Sequence, residues 1–291
     1  MRLAALYLYP VKSARGIRVD AADVGVTGLR HDRRWMIVDA HGRFVTQRTD
    51  PRLGRIVPVV DPDVLRLTAP GLPDLRLPLD PDAGASTTVT VWDDTVEALG
   101  CGDEADAWLT GVLGPGHRLV AMAGDGARPL SSEHARPGDV VSFADGYPYL
   151  LTNTASLEDL SRRAGLALEM ERFRPNLVVE GAAPFAEDGW SSVTIGSVPF
   201  RVVKPCVRCV VTTLDPRTGV GGREPLRSLA TFRRDASGGV TFGQNLIAGG
   251  GGTLRVGDDV IVRHREAEPG GDGEAARDEG APTEGTPARS D

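Results

Sequence analysis

Short segments of strand-type sequence, separated by turn-forming residues, are the feature that most limits the fold of this chain. Apolar and polar residues alternate over residues 3–9 and again over 16–24. Residues 55–60, 64–67 and 87–99 are further segments of this type, bounded by Pro- and Asp-rich stretches. Alternation over a few residues is typical of half-buried strands, and many such strands favour a sandwich or barrel. The sequence therefore predicts a mainly β fold with a few helices.

A hairpin turn and two helices interrupt the predicted strands. Residues 39–42 form the turn between strands at 34–38 and 43–46. Asp103 is the predicted N-cap of a helix that ends before Gly114, and residues 154–164, capped by Asn153 or Thr154, form a second helix that Gly165 closes. Further strands are predicted over residues 177–179, 193–203, 210–214 and 254–262, and a loop over 242–245.

The length of 291 residues suits two domains. A connection rich in Gly and Arg at residues 124–138 is the candidate boundary. We therefore expect an N-terminal β domain over residues 1–125, a second domain over 126–264 and a tail over 265–291. The tail carries eight acidic and three basic residues and no aromatic residue, so it is predicted to be disordered.

The charge distribution argues against two classes of partner. The net charge is −7, and the tail supplies most of it, so the body is close to neutral. A neutral body lacks the basic surface that nucleic acid or an anionic membrane attracts, and we expect neither partner. No segment approaches the roughly 18 consecutive apolar residues of a membrane span, and no secretory cleavage site is recognised. We expect a cytoplasmic protein.

The KPCVRC motif at residues 204–209 is the sharpest chemical signal. Cys206 and Cys209 are separated by two residues, and Cys101 is the only other cysteine. A zinc site needs four ligands, whereas the five histidines stand apart, and a thioredoxin-like dithiol needs a helix where a strand is predicted. Two more interpretations remain open: small core residues, or a thiolate ligand for a soft metal, supported by the cationic Arg208.

Basic residues beside turn-formers are the other candidates. Lys12 lies in YPVKS, Arg33 in DRRW, Arg48 in VTQRT and Arg174 in RFRPN. A lone arginine is more often a solvated surface charge than a ligand. Arg174, however, leads directly into an apolar strand, and a guanidinium binds phosphate or carboxylate through two parallel hydrogen bonds. Several such groups in one place would suit a phosphorylated organic cofactor.

These motifs together resemble a known family. YPVKS, DRRW, VTQRTDPRL, TASLEDL, RFRPN, CVRCVVTTLDPRTG, FGQN and LRVGDDV occur in one order over residues 1–264. That series resembles MOSC (molybdenum-cofactor sulfurase C-terminal) proteins with an N-terminal β-barrel domain. The group includes the mitochondrial amidoxime-reducing component and bacterial reductases of N-hydroxylated bases. The resemblance implies a β-barrel MOSC domain packed with a smaller N-terminal β domain.

The resemblance also implies a function and a set of site residues. It implies a reductase of N-hydroxylated substrates that uses molybdenum cofactor, with the metal held by the thiolate of Cys209, which is then both metal ligand and catalytic residue. The residues that match the family's cofactor contacts are Lys12, Ser13, Arg33, Arg48, Thr154, Ala155, Ser156, Arg174, Val207, Arg208 and Asn245. Asn245 stands where some relatives have an aromatic residue. Pyridoxal phosphate binding is a further association made at the level of the family.

Partners follow from the same resemblance. Some bacterial relatives continue into a ferredoxin-type cysteine set, and this sequence has none after the MOSC motifs. We therefore expect an external electron-donor protein of the ferredoxin, flavin or haem type. A different class of function stays open, in which the chain holds cofactor or carries sulfur as a persulfide on Cys209 without substrate turnover.

Overall fold

The computed structural model describes residues 1–79, 84–123, 127–130 and 134–265, and most of the regular structure in this part is β-strand. The strands are β1 (Arg2–Leu8), β2 (Ile17–Val19), β3 (Ala21–Gly25), β4 (Gly28–Leu29), β5 (Trp35–Val38), β6 (Val57–Val60), β7 (Val64–Thr68), β8 (Leu75–Pro78), β9 (Ser86–Val91), β10 (Asp94–Gly100), β11 (Arg118–Met122), β12 (Arg128–Pro129), β13 (Val140–Val141), β14 (Tyr149–Asn153), β15 (Leu177–Glu180), β16 (Trp190–Ile195), β17 (Val198–Val207), β18 (Thr241–Ala248), β19 (Gly252–Arg255) and β20 (Val260–His264). The α-helices are α1 (Asp103–Leu113), α2 (Thr154–Ala164) and α3 (Leu226–Leu229). Short 3-10 helices lie at Pro51–Arg55, Met170–Phe173, Ala186–Gly189 and Val210–Thr213. The mainly β fold class is confirmed, and the predicted tail beyond Arg265 lies outside the described residues.

The largest sheet has eight strands in the order β2-β1-β15-β14-β18-β17-β16-β20. Its neighbours are antiparallel except β14 and β15, which are parallel. The aromatic side chains of Tyr149, Trp190 and Phe200 are buried against it. The small sheet β19-β3-β4 adds Val24 and Leu254 to the same core. Burial of side chains of this size stabilises the fold by about 1.5–3 kcal/mol each.

A second core lies between α1 and the strands of the N-terminal half. It is covered by the sheets β5-β11-β10-β9 and β6-β7-β8. Trp35, Leu65 and Leu67 pack there against Trp108 and Leu109 of α1. The helix ends where predicted, at Gly114 with φ 91°, but its N-cap is Gly102 instead of Asp103, which is the first helical residue.

The N-terminal segment contributes to both cores. Strand β1 pairs with β15 on one side and β2 on the other, inside the large sheet. The chain then leaves this sheet, and Val11 and Ala14 lie in the second core. It returns to the large sheet for the short strand β2, leaves it again, and rejoins it at β14, after the candidate boundary at residues 124–138. The division into residues 1–125 and 126–264 stays a prediction.

The predicted strand over residues 210–214 is wrong, because this segment forms the 3-10 helix Val210–Thr213. The hydroxyl of Thr212 donates to the carbonyl of Cys209 at 2.9 Å, and that of Thr213 donates to the carbonyl of Val210 at 2.7 Å. These local hydrogen bonds offer the backbone an alternative to a sheet, against the β preference of the branched side chains.

The predicted loop over residues 242–245 is also wrong, because these residues belong to β18. Lys204 and Pro205 of β17 pair with Asn245 and Gln244. Gly243 has φ 76°, and a Cβ there would lie 2.6 Å from the carbonyl oxygen of Leu151. A glycine is therefore required where β14 and β18 approach each other.

Helix α2 forms as the sequence predicts. The side chain of Asn153 accepts a hydrogen bond from the backbone N–H of Ala155 at 3.1 Å, so Asn153 is the N-cap. Gly165, with φ 65°, ends the helix in the left-handed conformation. In the part of the chain that the structure describes, no helix combines the length and the apolar character that crossing a membrane requires.

Candidate functional site

One cleft, of about 420 Å³, brings together residues from both halves of the chain. Its volume is within the usual range for a small-molecule site, about 300–1,000 Å³. Nine of the twelve predicted site residues line it: Lys12, Ser13, Arg33, Arg48, Arg174, Val207, Arg208, Cys209 and Asn245. The predicted set therefore converges, although its members are spread over more than two hundred positions of sequence.

The lining of this cleft is strongly cationic. It contains six basic residues and one acidic residue, Asp145. The basic residues are Lys12, Arg33, Arg48, Arg174, Lys204 and Arg208. Guanidinium and ammonium groups at this density favour an anionic ligand that accepts several hydrogen bonds, such as a phosphate ester.

Arg33 and Arg174 are held against one buried aromatic ring. Their guanidinium carbons lie 4.3 Å and 4.4 Å from the ring centroid of Tyr9. Arg33 also donates to Asn176 at 3.1 Å and contacts Asp32, and Arg174 donates to the carbonyl of Ala14 at 2.8 Å. Burial lowers the pKa of Arg174 to about 10, so the group remains charged at neutral pH. The two cations are thus oriented before a ligand arrives.

Backbone strain is concentrated around the cleft. Among the described non-glycine residues, six have positive φ angles, and four of these six line the cleft. They are Ser13 (63°), Arg33 (48°), Trp92 (56°) and Arg174 (53°). The left-handed conformation costs an L-residue roughly 1–2 kcal/mol. Such strain persists where the surrounding structure imposes it, and it is commonest at functional sites.

Lys12 and Asp145 form an ion pair at the cleft wall. The ammonium of Lys12 is buried, contacts Asp145 and donates to the carbonyl of Phe143 at 2.7 Å. Burial lowers the pKa of Lys12. Desolvation at the cleft wall would raise the pKa of Asp145, but its side chain is 57% exposed, and the charges of Lys12 and Arg48 outweigh this effect and hold that pKa well below its usual range. Asp145 is therefore ionised at neutral pH and balances the buried ammonium.

Arg48 and Trp92 form the rim on the N-terminal side. The guanidinium of Arg48 lies 4.7 Å from the Trp92 ring centroid and 3.5 Å from the carboxylate of Asp145. Trp92 is 41% exposed and also contacts Phe44, with ring centroids 4.9 Å apart. The rim thus presents the exposed ring of Trp92 and the guanidinium of Arg48, whose ionic contact with Asp145 is long.

Cys209 caps the 3-10 helix that follows β17, and it lines the cleft. We expect from the sequence that Arg208 supports the ligand thiolate, but its guanidinium donates to Sγ of Cys206, at 2.8 Å. Arg208 is held there by a second hydrogen bond, to the carbonyl of Phe173 at 2.5 Å. Cys206 lines the same cleft. The guanidinium of Arg208 therefore contacts Cys206 and not the predicted ligand Cys209.

Thr154, Ala155 and Ser156 do not line the cleft. They form the start of α2, where the hydroxyl of Ser156 is fully buried and donates to the carboxylate of Glu187 at 2.8 Å. The same hydroxyl accepts from the backbone N–H of Phe185 at 2.7 Å. This hydroxyl is therefore committed to contacts inside the protein, and the cofactor contact of this segment stays a prediction.

The cleft also contains residues that no sequence motif indicated, apart from Lys204. Trp92, Asp145, Tyr147 and Lys204 all line the cleft. Lys204 belongs to the KPCVRC motif, so its position beside the cysteines was a usable signal. Trp92 and Asp145 lie in turns without a recognisable motif. In the described residues, no group of three or more His, Cys, Asp or Glu side chains is arranged to hold a metal ion.

Comparison with known proteins identifies the family. Residues 1–115 match the MOSC N-terminal beta barrel domain, and residues 138–261 match the MOSC domain. The chain belongs to the MOSC family, with both of these domains.

Curated relatives agree with this assignment. The chain is 36% identical to mitochondrial amidoxime-reducing component 1 of Mus musculus over 277 residues, which cover 89% of this chain and 82% of the relative. It is 36% identical to the Homo sapiens protein of the same name, with the same coverage. It is 35% identical to molybdenum cofactor sulfurase of Danio rerio over 83% of this chain, but this match covers only 31% of that relative.

Proposed function

We propose that this protein is a molybdenum-cofactor-dependent reductase of N-hydroxylated substrates, with the metal held by the thiolate of Cys209. One observation carries the proposal: Cys209 shares a single cleft with six cationic side chains. Family membership and the names of the amidoxime-reducing relatives support it. A soft thiolate suits molybdenum, and the cations suit a pterin phosphate.

The residues of the cleft fit this cofactor in two parts. Lys12, Ser13, Arg33, Arg48 and Arg174 would hold the phosphate and pterin. Val207, Arg208 and Asn245 line the cleft together with Cys209 and would enclose the metal end. Thr154, Ala155 and Ser156 stay candidates through the resemblance alone.

The bound cofactor would supply two-electron chemistry that cleaves the N–O bond, so that two electrons and two protons convert the N-hydroxyl group into an N–H group and water. The protein's own groups position and charge this site. Asp145 is ionised at neutral pH, so it balances Lys12 and does not donate a proton. Arg33 and Arg174 keep their positions through Tyr9 and contribute preorganised positive charge.

The source of electrons belongs to the same proposal. The reaction consumes two electrons per turnover, and the resemblance implies a separate donor protein of the ferredoxin, flavin or haem type. We also propose a cytoplasmic location, although the amidoxime-reducing relatives are named as mitochondrial.

A second candidate function is sulfur transfer through a persulfide on Cys209. The match to the molybdenum cofactor sulfurase of Danio rerio favours it. A persulfide carrier needs a cysteine that a partner can reach, and Cys209 is half-buried at the cleft. This role would need no N-hydroxylated substrate.

Metal content and turnover of one preparation distinguish these functions. The protein is made in cells that produce molybdenum cofactor, and molybdenum, sulfane sulfur and reduction of benzamidoxime by reduced methyl viologen are measured. Stoichiometric molybdenum with turnover supports the reductase, and sulfane sulfur without metal supports the carrier. If neither molybdenum with turnover nor sulfane sulfur is found, both proposed functions are contradicted.

Cys209→Ser is the decisive variant, and Cys101→Ser is its matched control. Burial raises the pKa of Cys101 to about 12, and this thiol packs at the second core, away from the cleft. Cys101→Ser is expected to keep molybdenum and turnover, whereas Cys209→Ser loses both.

A further inference from the structure

A second groove lies beside the cleft, and its lining is basic. It contains Arg15, Arg55 and Arg217 together with Thr68 and Thr218, and no acidic residue. Arg55 and Arg217 are exposed, and the groove has a volume of about 460 Å³. None of the three guanidinium groups forms an ion pair with another described residue. The groove therefore presents three arginine side chains whose charges have no carboxylate partner within the described structure.

This groove is continuous with the wall of the Cys209 cleft. Arg15 and Arg217 also line a small pocket that includes Arg174 and Val211. Arg174 and Val211 in turn line the cleft of Cys209. The small pocket, which also contains Glu169 and Glu171, therefore connects the groove with the cleft through shared lining residues.

The charge distribution of the chain favours an acidic protein as the partner of this groove. Residues 265–291 supply most of the net charge of −7, so the rest of the protein is close to neutral and the three arginines form a local positive surface on it. A local basic surface on an acidic protein orients an incoming acidic partner and raises its association rate. The same net charge disfavours a long nucleic acid, which would extend beyond the three arginines.

We infer that the groove of Arg15, Arg55 and Arg217 is the docking site for a carboxylate-rich face of the electron-donor protein. The inference rests on the proposed function, because the reductase consumes two electrons per substrate. A donor docked at this groove would lie beside the small pocket that shares Arg174 and Val211 with the Cys209 cleft. The occupant is thus an acidic redox protein, and neither a nucleic acid nor a free small anion.

Charge reversal tests the docking site with two electron sources. Arg55→Glu/Arg217→Glu is compared with Arg255→Glu/Arg263→Glu, which changes the net charge equally at exposed positions on β19 and β20. A reduced plant-type ferredoxin, a small acidic protein, serves as one donor and reduced methyl viologen as the other. We expect ferredoxin-driven turnover of the groove variant to fall by roughly tenfold or more at low salt. The control variant changes little, and viologen-driven turnover stays the same in both.

Salt dependence completes this test. The difference between the two variants is expected to shrink as ionic strength rises from about 0.01 M to 0.15 M, since the Debye length falls from about 30 Å to about 8 Å. Equal losses in groove and control variants would overturn the inference. So would viologen-driven turnover of the wild type without any ferredoxin-driven turnover. Failure of viologen-driven turnover in the wild type would instead refute the proposed function.

A binding measurement tests the groove without turnover. A fluorescein-labelled hexaglutamate peptide is titrated with each protein and followed by fluorescence anisotropy. Wild type and control variant are expected to bind it, and the groove variant to bind at least several-fold more weakly. Tighter groove-dependent binding of a short DNA duplex, or displacement of the peptide by an equal concentration of inorganic phosphate, would contradict an acidic protein as the occupant.

Discussion

Replacement of Arg174 is the perturbation that separates a cofactor-binding role from a structural one. Arg174 uses one guanidinium nitrogen for the carbonyl of Ala14, at 2.8 Å, and lies over the ring of Tyr9. The same side chain lines the cleft. Arg174→Ala should therefore have two effects, one on stability and one on cofactor occupancy.

The structure sets the size of both effects. A hydrogen bond from a charged donor contributes about 1.5–3 kcal/mol, and a cation–π contact contributes about 0.5–2 kcal/mol. We expect Arg174→Ala to lower the free energy of unfolding by roughly 2–5 kcal/mol. Loss of one charge-assisted bond to the cofactor phosphate would lower occupancy by roughly tenfold or more, because about 1.4 kcal/mol corresponds to a factor of ten.

Two further variants separate these effects. Arg174 has φ 53°, a conformation that glycine adopts without strain. Arg174→Gly is expected to recover roughly 1 kcal/mol of stability relative to Arg174→Ala, but no occupancy. Arg174→Lys should recover part of the occupancy, because an ammonium keeps the charge and loses the planar geometry.

The assay is cofactor per folded molecule, measured as molybdenum on the monodisperse fraction, beside chemical denaturation for stability. Arg162→Ala is the control, since the Arg162 side chain is 72% exposed on α2 and its partner Asp159 also forms an ion pair with Arg163. It should change neither quantity by a measurable amount. Full occupancy in folded Arg174→Ala or Arg174→Gly protein would refute the role of Arg174 in binding the phosphate.

Three further outcomes are expected. Cys209→Ser should abolish molybdenum retention while the chain stays folded, and Cys206→Ser should do much less; equal loss in both would point to a dithiol site. Because Lys12 holds the pKa of Asp145 low, their ion pair stabilises the protein above about pH 4 and loses this contribution as the pH falls further. Asp145→Asn should thus lower Tm at pH 7, and the difference from wild type should narrow below pH 4; a constant difference would argue against the pair. Removal of residues 268–291 should leave Tm and molybdenum content nearly unchanged, because their sequence offers few apolar groups to bury; a loss of several degrees would show that they contribute to stability.

The sequence predicted the fold class, and nine of its twelve predicted site residues line the cleft. Lys12, Arg33, Arg174 and Cys209 each lie in a short motif whose order along the chain resembles a family, and the structure brings them together. The helix over residues 154–164 was predictable because its cap and its terminal glycine are local signals.

The misses have two physical origins, contacts between distant segments and local hydrogen bonds. Asp145 and Trp92 reach the cleft only because tertiary structure places two turns beside Lys12 and Arg48. The strand predicted over residues 210–214 fails because threonine hydroxyls bond locally, which branched-residue propensity does not express. Arg208 was assigned by adjacency to Cys209, whereas its hydrogen bond to Cys206 depends on how β17 ends.

The position of β1 has a consequence for how the protein can be divided. Leu3 and Leu6 of this strand are buried with Tyr149 and Leu246 in one core. A fragment that begins at residue 126 would therefore expose the edge of β15 and leave that core open, and exposed strand edges promote aggregation. Two fragments produced together could restore the missing strand by complementation, so that solubility of the C-terminal fragment would depend on the presence of the N-terminal one. A chimera that takes its N-terminal segment from a relative would fold only when β1 and the edge of β15 that pairs with it come from the same protein.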